Sequence, residues 1–253
     1  MPKPSDAYTQ LLYDMEVHDP EGIRRYFEGG GDPNEIHDGV AIFNTMVEMY
    51  FRSPRFQKCI QVFIDHGLTF ADQPLLAVLN NDHVTLDALI RTDPAIAVKK
   101  YSAFRNAYTS LEEATLLHYC AEYNHTNCAE ILVTHGSDVN ARTGIDEFGF
   151  GGHTPIFHTV FQNQNNSYDM LNFLIAQSAD LTVMVRGLFW GKGYDWETFF
   201  PAVNPLSYAM MGLLPQMHRN QSTVQSIVSL LLKQAYSIDF SPPNVPNRYL
   251  GIK

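Results

Sequence analysis

Three stretches in the second half of the chain can be laid over one another, and this self-similarity restricts the fold more than any single motif does. TLLHYCAEYNHTNCAEILVTHGSDVN begins at Thr115, TPIFHTVFQNQNNSYDMLNFLIAQSADLT at Thr154 and NPLSYAMMGLLPQMHRNQSTVQSIVSLLLKQAYSID at Asn204. Each opens with Thr or Asn, then Pro or Leu and an apolar residue. A first helical pattern follows, then a second that ends in an apolar cluster such as Ala129, Ile131 and Leu132. Each closes on a small-residue turn: His135-Gly136-Ser137-Asp138, Gln177-Ser178-Ala179-Asp180 and Gln234-Ala235-Tyr236-Ser237. A helix pair of this size is too small to bury its own apolar face, so the pairs must stack into one continuous core.

The sequence resembles the ankyrin-repeat family at this point, whose unit opens T-P-L-H-x-A and closes H-G-A-D-V-N. Thr115-Leu116-Leu117-His118 and His135-Gly136-Ser137-Asp138-Val139-Asn140 match it best. Weaker copies begin at Ala7, Val40 and Gln73. The resemblance implies an all-α, ankyrin-like solenoid of about six stacked helix-turn-helix repeats. A single domain over residues 1–253 would hold units at 5–38, 39–71, 72–113, 114–152, 153–203 and 204–253. Irregular long connectors are expected in the C-terminal half, with no sheet beyond short turn pairings. Gly30, Gly67 and Gly136 fall where a left-handed residue closes a second helix. The polar N-terminal unit, with Asp14, Glu16, Glu21, Arg24, Arg25 and Glu28, reads as a solvent-facing cap.

The chain has 253 residues, 45% of them hydrophobic and 12% aromatic, which is ample for a buried core and argues against disorder. No apolar run approaches the roughly 20 residues of a membrane span, and the N-terminus lacks the apolar core of an export signal. Three cysteines, each in a helical pattern, make a poor disulfide framework and suit a reducing compartment. A soluble, cytoplasmic monomer is therefore expected. The net charge of −10 lacks the basic stripe that nucleic acid demands, and it suits a basic or neutral protein partner.

Two clusters invite a chemical reading. His118, His125, His135, Cys120 and Cys128 crowd into 18 residues. Yet their spacing fits no tight tetrahedral set, and all five occupy scaffold places of the resembled repeat. No metal and no cofactor is expected. Nucleophile elbows, phosphate loops and dinucleotide fingerprints are missing from the sequence, so no catalytic residue is assigned and the protein is read as non-enzymatic. Asp195 and Glu197, flanking Trp196 in an aromatic connector, leave a small-ligand or carbohydrate-active site as one rival reading. A specific inhibitor or immunity-type protein with a basic target is the other.

In the resembled fold the first helices and the turn fingers line a concave face. The residue after the T-P-L-H histidine is Tyr119, His158 or Tyr208 in the last three units, and Glu122, Phe161 or Met211 stands three positions on. Upstream the corresponding row holds Asn44 and Ala77. The connector 183–203 adds Phe189, Trp190, Tyr194, Trp196, Phe199 and Phe200, six aromatics in 21 residues. A protein partner is thus expected on Tyr119, Tyr123, His158, Phe161, Trp190, Tyr194, Trp196, Tyr208 and Met211. Within the connector, Phe199 and Phe200 are expected to be buried, with Trp190 and Trp196 partly exposed near the tip. The competing use of those aromatics is as a structural lid over the last units.

Overall fold

Helix starts and stops follow from local chemistry throughout the chain. In the computed structural model, which describes residues 6–106, 108–161, 165–195, 197–211 and 220–240, eleven α-helices appear among the described residues. The first four are α1 (Asp6–Glu16), α2 (Pro20–Glu28), α3 (Ile42–Glu48) and α4 (Phe56–Asp65). Then come α5 (Gln73–Leu79), α6 (His83–Thr92), α7 (Leu116–Tyr123) and α8 (Thr126–Thr134). The last are α9 (Tyr168–Ala176), α10 (Pro205–Met211) and α11 (Gln221–Tyr236). Asp19, Asp72 and Asp82 cap α2, α5 and α6 by accepting first-turn N–H groups, and Pro20 and Pro74 sit where a missing N–H costs nothing.

Left-handed residues separate the paired helices and end the second of each pair. Asn81 and Asn124 turn the chain between partners at φ 52° and 59°, while Gly30, Gly67 and Gly136 close second helices at φ 101°, 91° and 88°. Successive pairs are stitched by asparagine side chains. Asn34 Oδ1 accepts from Thr69 N, Asn124 Oδ1 from Met170 N, and Asn140 Oδ1 from Asp180 N, at 2.7 to 2.9 Å. Each bond satisfies a backbone donor near a turn or helix start in the following segment. The apolar stripes meet in a continuous core that runs from Leu11 through Phe63, Leu117 and Leu174 to Leu231.

Several expectations are corrected. Pro155–His158 forms a 3-10 helix of four residues where a full first helix was expected. The cap residue Asp14 is buried, not solvent-facing; it accepts from Gln10 and lies so close under Gly22 that a Cβ there would meet its carboxyl at 2.3 Å.

The largest correction concerns the connector 183–203, which is an antiparallel hairpin. Besides the two-residue strands β1 (Ile36–His37) with β2 (Val40–Ala41) and β3 (Lys100–Tyr101) with β4 (Ala114–Thr115), six-residue strands β5 (Val185–Trp190) and β6 (Thr198–Val203) pair across it. Their register sets Leu188 opposite Phe200 and Phe189 opposite Phe199. Strand-forming runs on both sides of a glycine-bearing turn, VRGLFW and TFFPAV, explain the pairing.

Candidate functional site

The residues expected to face a partner are mostly interior. Tyr119, His158 and Tyr208 are fully buried, Glu122, Phe161 and Trp190 nearly so, and Tyr123 is buried with them. Phe161 stacks on Tyr208 with ring centroids 4.3 Å apart, and Trp190 stacks on Tyr108 at 5.3 Å while meeting the edge of Phe161 at 5.6 Å. The Tyr208 hydroxyl bonds Thr109 Oγ1 at 2.8 Å. Tyr123 donates to Val47 O and lies flat on Phe56 at 4.2 Å. Tyr119 meets Tyr101 edge-on. Tyr194, half-buried at the hairpin turn, holds the Arg105 guanidinium 4.6 Å above its ring. Trp196 lies outside the described residues, as does the side chain of Met211. The hairpin covers the aromatic row of the last units, and an aromatic row without that cover would be an apolar surface in water.

Glu122 faces inward as part of a buried polar set. Its Oε1 accepts from Arg52 Nε at 2.8 Å and its Oε2 lies 2.8 Å from His158 Nδ1. Arg52 also donates to Asn106 Oδ1 at 2.8 Å, and its guanidinium sits 4.9 Å from the Tyr123 ring. Burial would raise the Glu122 carboxyl, but the Arg52 charge and the His158 hydrogen bond outweigh it and hold it at about 2.

The histidine and cysteine cluster is structural in geometry. His118 Nδ1 accepts from both the N–H and the hydroxyl of Thr115, so Nε2 carries the proton and donates to His153 O. His125 Nδ1 bonds Val78 O at 2.7 Å, and His135 Nε2 bonds Asp87 at 2.7 Å. Cys59, Cys120 and Cys128 are free and buried, and burial pushes the Cys59 and Cys128 thiols up to about 12. Such thiols are poor nucleophiles. Among the described residues no three His, Cys, Asp or Glu side chains are placed to hold a metal ion. At the hairpin turn, Glu197 accepts from Gly193 N at 2.6 Å, whereas Asp195 is solvent-exposed.

The pleat of the hairpin decides which aromatics reach the surface. Consecutive strand residues face opposite sides, so Phe199 and Phe200 meet different surroundings. Phe200 turns inward, as expected, with Leu188 and with Trp190, which was expected to be partly exposed; Phe199, expected to be buried, turns outward and is 40% exposed. Phe189 stands beside Phe199 on the outer face, with ring centroids 5.1 Å apart. Gly187 has room for no side chain there: a Cβ would lie 2.6 Å from the Phe199 ring.

A finger from the preceding segment completes this face. Asp146 Oδ1 accepts from Phe148 N and Phe150 N, which tightens a turn with Phe148 at its tip, 61% exposed. Gly151, at φ 97° and with a Cβ position 2.3 Å from Gly144 O, is a place only glycine fills; its N–H donates to Gly187 O and ties the finger to β5. Phe150 then reaches Phe199 at 4.7 Å and Phe189 at 5.8 Å, and Phe148 extends the row at 6.3 Å. Four phenylalanines, with exposed Ile145 nearby, thus make a contiguous apolar face. Sequence reasoning passed over Phe148 and Phe150, because their grouping depends on hairpin pairing; the strand runs flanking Gly191 and Gly193 were the available signal.

Stacked helix pairs with a Thr–His opening and a left-handed glycine close define a repeat solenoid. Residues 71–185 match the family model for ankyrin repeats, in three copies, and this part of the chain is a run of ankyrin repeats. Ankyrin repeats are generally protein–protein interaction modules. No curated protein matches the chain. No helix among the described residues is long and apolar enough to cross a membrane.

Proposed function

We propose that this is a non-enzymatic protein-binding module whose partner docks on the outer face of the β5–β6 hairpin and the 144–152 finger. The carrying observation is a row of four phenylalanines in which Phe148 and Phe199 are exposed and Phe150 and Phe189 are half-buried. Exposed aromatics on a rigid support are what interface centres use, because they bury much area with little ordering cost. Phe161 and Tyr208 serve this face from beneath by packing against Trp190 and Phe200 of the hairpin, and Tyr194 stands at its turn.

Three buried free thiols accord with a reducing, cytoplasmic setting for a monomer that binds no metal, cofactor or nucleic acid. The net charge of −10 favours, as a second reading, a dedicated inhibitor of a basic target, which would show tight, salt-sensitive binding to one protein.

Affinity capture from the native extract, followed by titration of the purified partner, tests the module. Phe148→Ala with Phe199→Ala should weaken binding by ~30-fold or more, the equivalent of about 2 kcal/mol, at unchanged melting temperature. Unchanged affinity in that folded variant would remove this face from consideration.

A further inference from the structure

Beside the exposed phenylalanines is a cavity of about 110 Å³, walled by Phe150 and Phe189 and rimmed by Glu112, Glu113, Asp146 and Lys192. Its charges are unbalanced. Lys192 Nζ is already paired with Glu112 Oε2 at 2.7 Å, and the Arg186 guanidinium lies over the Phe150 ring at 5.8 Å. With Glu147 at the finger tip, and with Arg142 donating to Gly152 O of the same finger, four carboxylates oppose three cations, a formal local charge of 4 × (−1) + 3 × (+1) = −1. No cation of the described residues lies within ion-pair distance of Glu113, Asp146 or Glu147. Asp146 is held in place by the two N–H groups of its own turn, so this acceptor faces the cavity rim without freedom to move away.

What enters such a cavity follows from the cost of each occupant. An apolar group would strip water from carboxylates and give nothing back. An anion would meet like charge. A lysine or arginine head satisfies both kinds of wall at once, through the carboxylates and through the faces of Phe150 and Phe189. The adjoining Phe148 and Phe199 need an apolar companion.

Resting on the proposed docking face, we infer that the partner is a protein presenting a short segment in which a lysine or arginine, held between Glu113 and Asp146, stands next to an aromatic or large aliphatic residue held on Phe148 and Phe199.

Random peptides displayed on phage and selected on the full chain provide the probe. Enriched peptides should carry a basic residue beside an apolar one. Binding of a synthetic enriched peptide should fall at least ~10-fold in Glu113→Lys, fall similarly when the basic residue of the peptide becomes glutamate, and recover in part when those two changes are combined. Loss of binding in Phe148→Ala with Phe199→Ala, together with indifference to Glu113→Lys, would overturn the basic partner while sparing the docking face. Binding indifferent to the phenylalanine pair would overturn the docking face itself. Enriched peptides that are neutral or acidic, or no enrichment over the phenylalanine-pair variant, would overturn the inference.

Discussion

Arg52 and Glu122 show how one residue can fix the relation between repeats. Arg52 reaches from the loop before α4 to Glu122 on α7, and its own carbonyl accepts from Asn166 Nδ2 at 2.6 Å ahead of α9. Both side chains of the pair are almost fully shielded from water. A buried pair of this kind contributes little over a well-packed apolar substitute, yet losing one partner strands a charge. Arg52→Met should therefore destabilise the protein by about 3–5 kcal/mol in urea unfolding. Adding Glu122→Met to it should restore much of that loss. A single variant within about 1 kcal/mol of the parent would mean that water reaches the pair in solution.

At the scale of the element, the hairpin has two faces with different duties. Phe200, next to Phe161 and Tyr208, fills core that the four-residue 3-10 helix leaves open. Phe200→Ala should cost about 3 kcal/mol or more, whereas Phe199→Ala should stay within about 0.5 kcal/mol, as for other surface changes. Chemical denaturation of the two single variants checks this. Equal losses would mean that the outer face is covered too. The repeats themselves were legible in the residues: Thr115-Leu116-Leu117-His118 announces both the start of α7 and the tautomer of its histidine. The hairpin was not legible, because a helical period dominated its surroundings and six aromatics in a row of glycines suit a loop as well as a strand. Only pairing across Gly191 and Gly193 assigns each ring a side.

Across the whole molecule, buried neutral histidines make stability depend on pH. Burial lowers His18 and His153 to about 3 and His125 to about 4, from an ordinary value of 6.5; nearby Arg52 and Arg55 add to the effect at His18, and His158 adds to it at His153. His118 is lowered well below 6.5 for the same reason. The unfolded chain takes up these protons first as pH falls below 6.5, while the folded chain resists until about 3 to 4. Stability therefore declines through that window, by up to about 1.4 kcal/mol per pH unit for each histidine. Glu122 extends the decline: its folded value of about 2 lies below the ordinary 4.5, so its contribution is present above 4.5 and fades as pH falls toward 2. Urea midpoints should be flat above neutrality and fall steeply between 6.5 and 4. A flat profile through that range would show that the imidazoles are hydrated in the folded state.

The sequence alone determined the repeat: the period of its apolar residues, the aspartate and threonine caps and the left-handed glycines are local signals, readable because each acts within a few residues. The resemblance to the repeat put the histidines and cysteines near residue 120 at scaffold positions, and His118, His125 and His135 each hydrogen-bond within the fold. Which aromatics meet water was decided by tertiary structure. Tyr119, His158 and Tyr208 stand at positions that face outward in an open solenoid, and they are buried because Tyr101 meets the first, Glu122 and neighbouring histidines enclose the second, and Phe200 of the hairpin covers the third. Phe148 and Phe199 are about 50 residues apart in sequence and become neighbours through one hydrogen bond from Gly151 to Gly187 and the register of two strands. Exposure is a property of what covers a residue, and the cover here comes from contacts that no local pattern encodes.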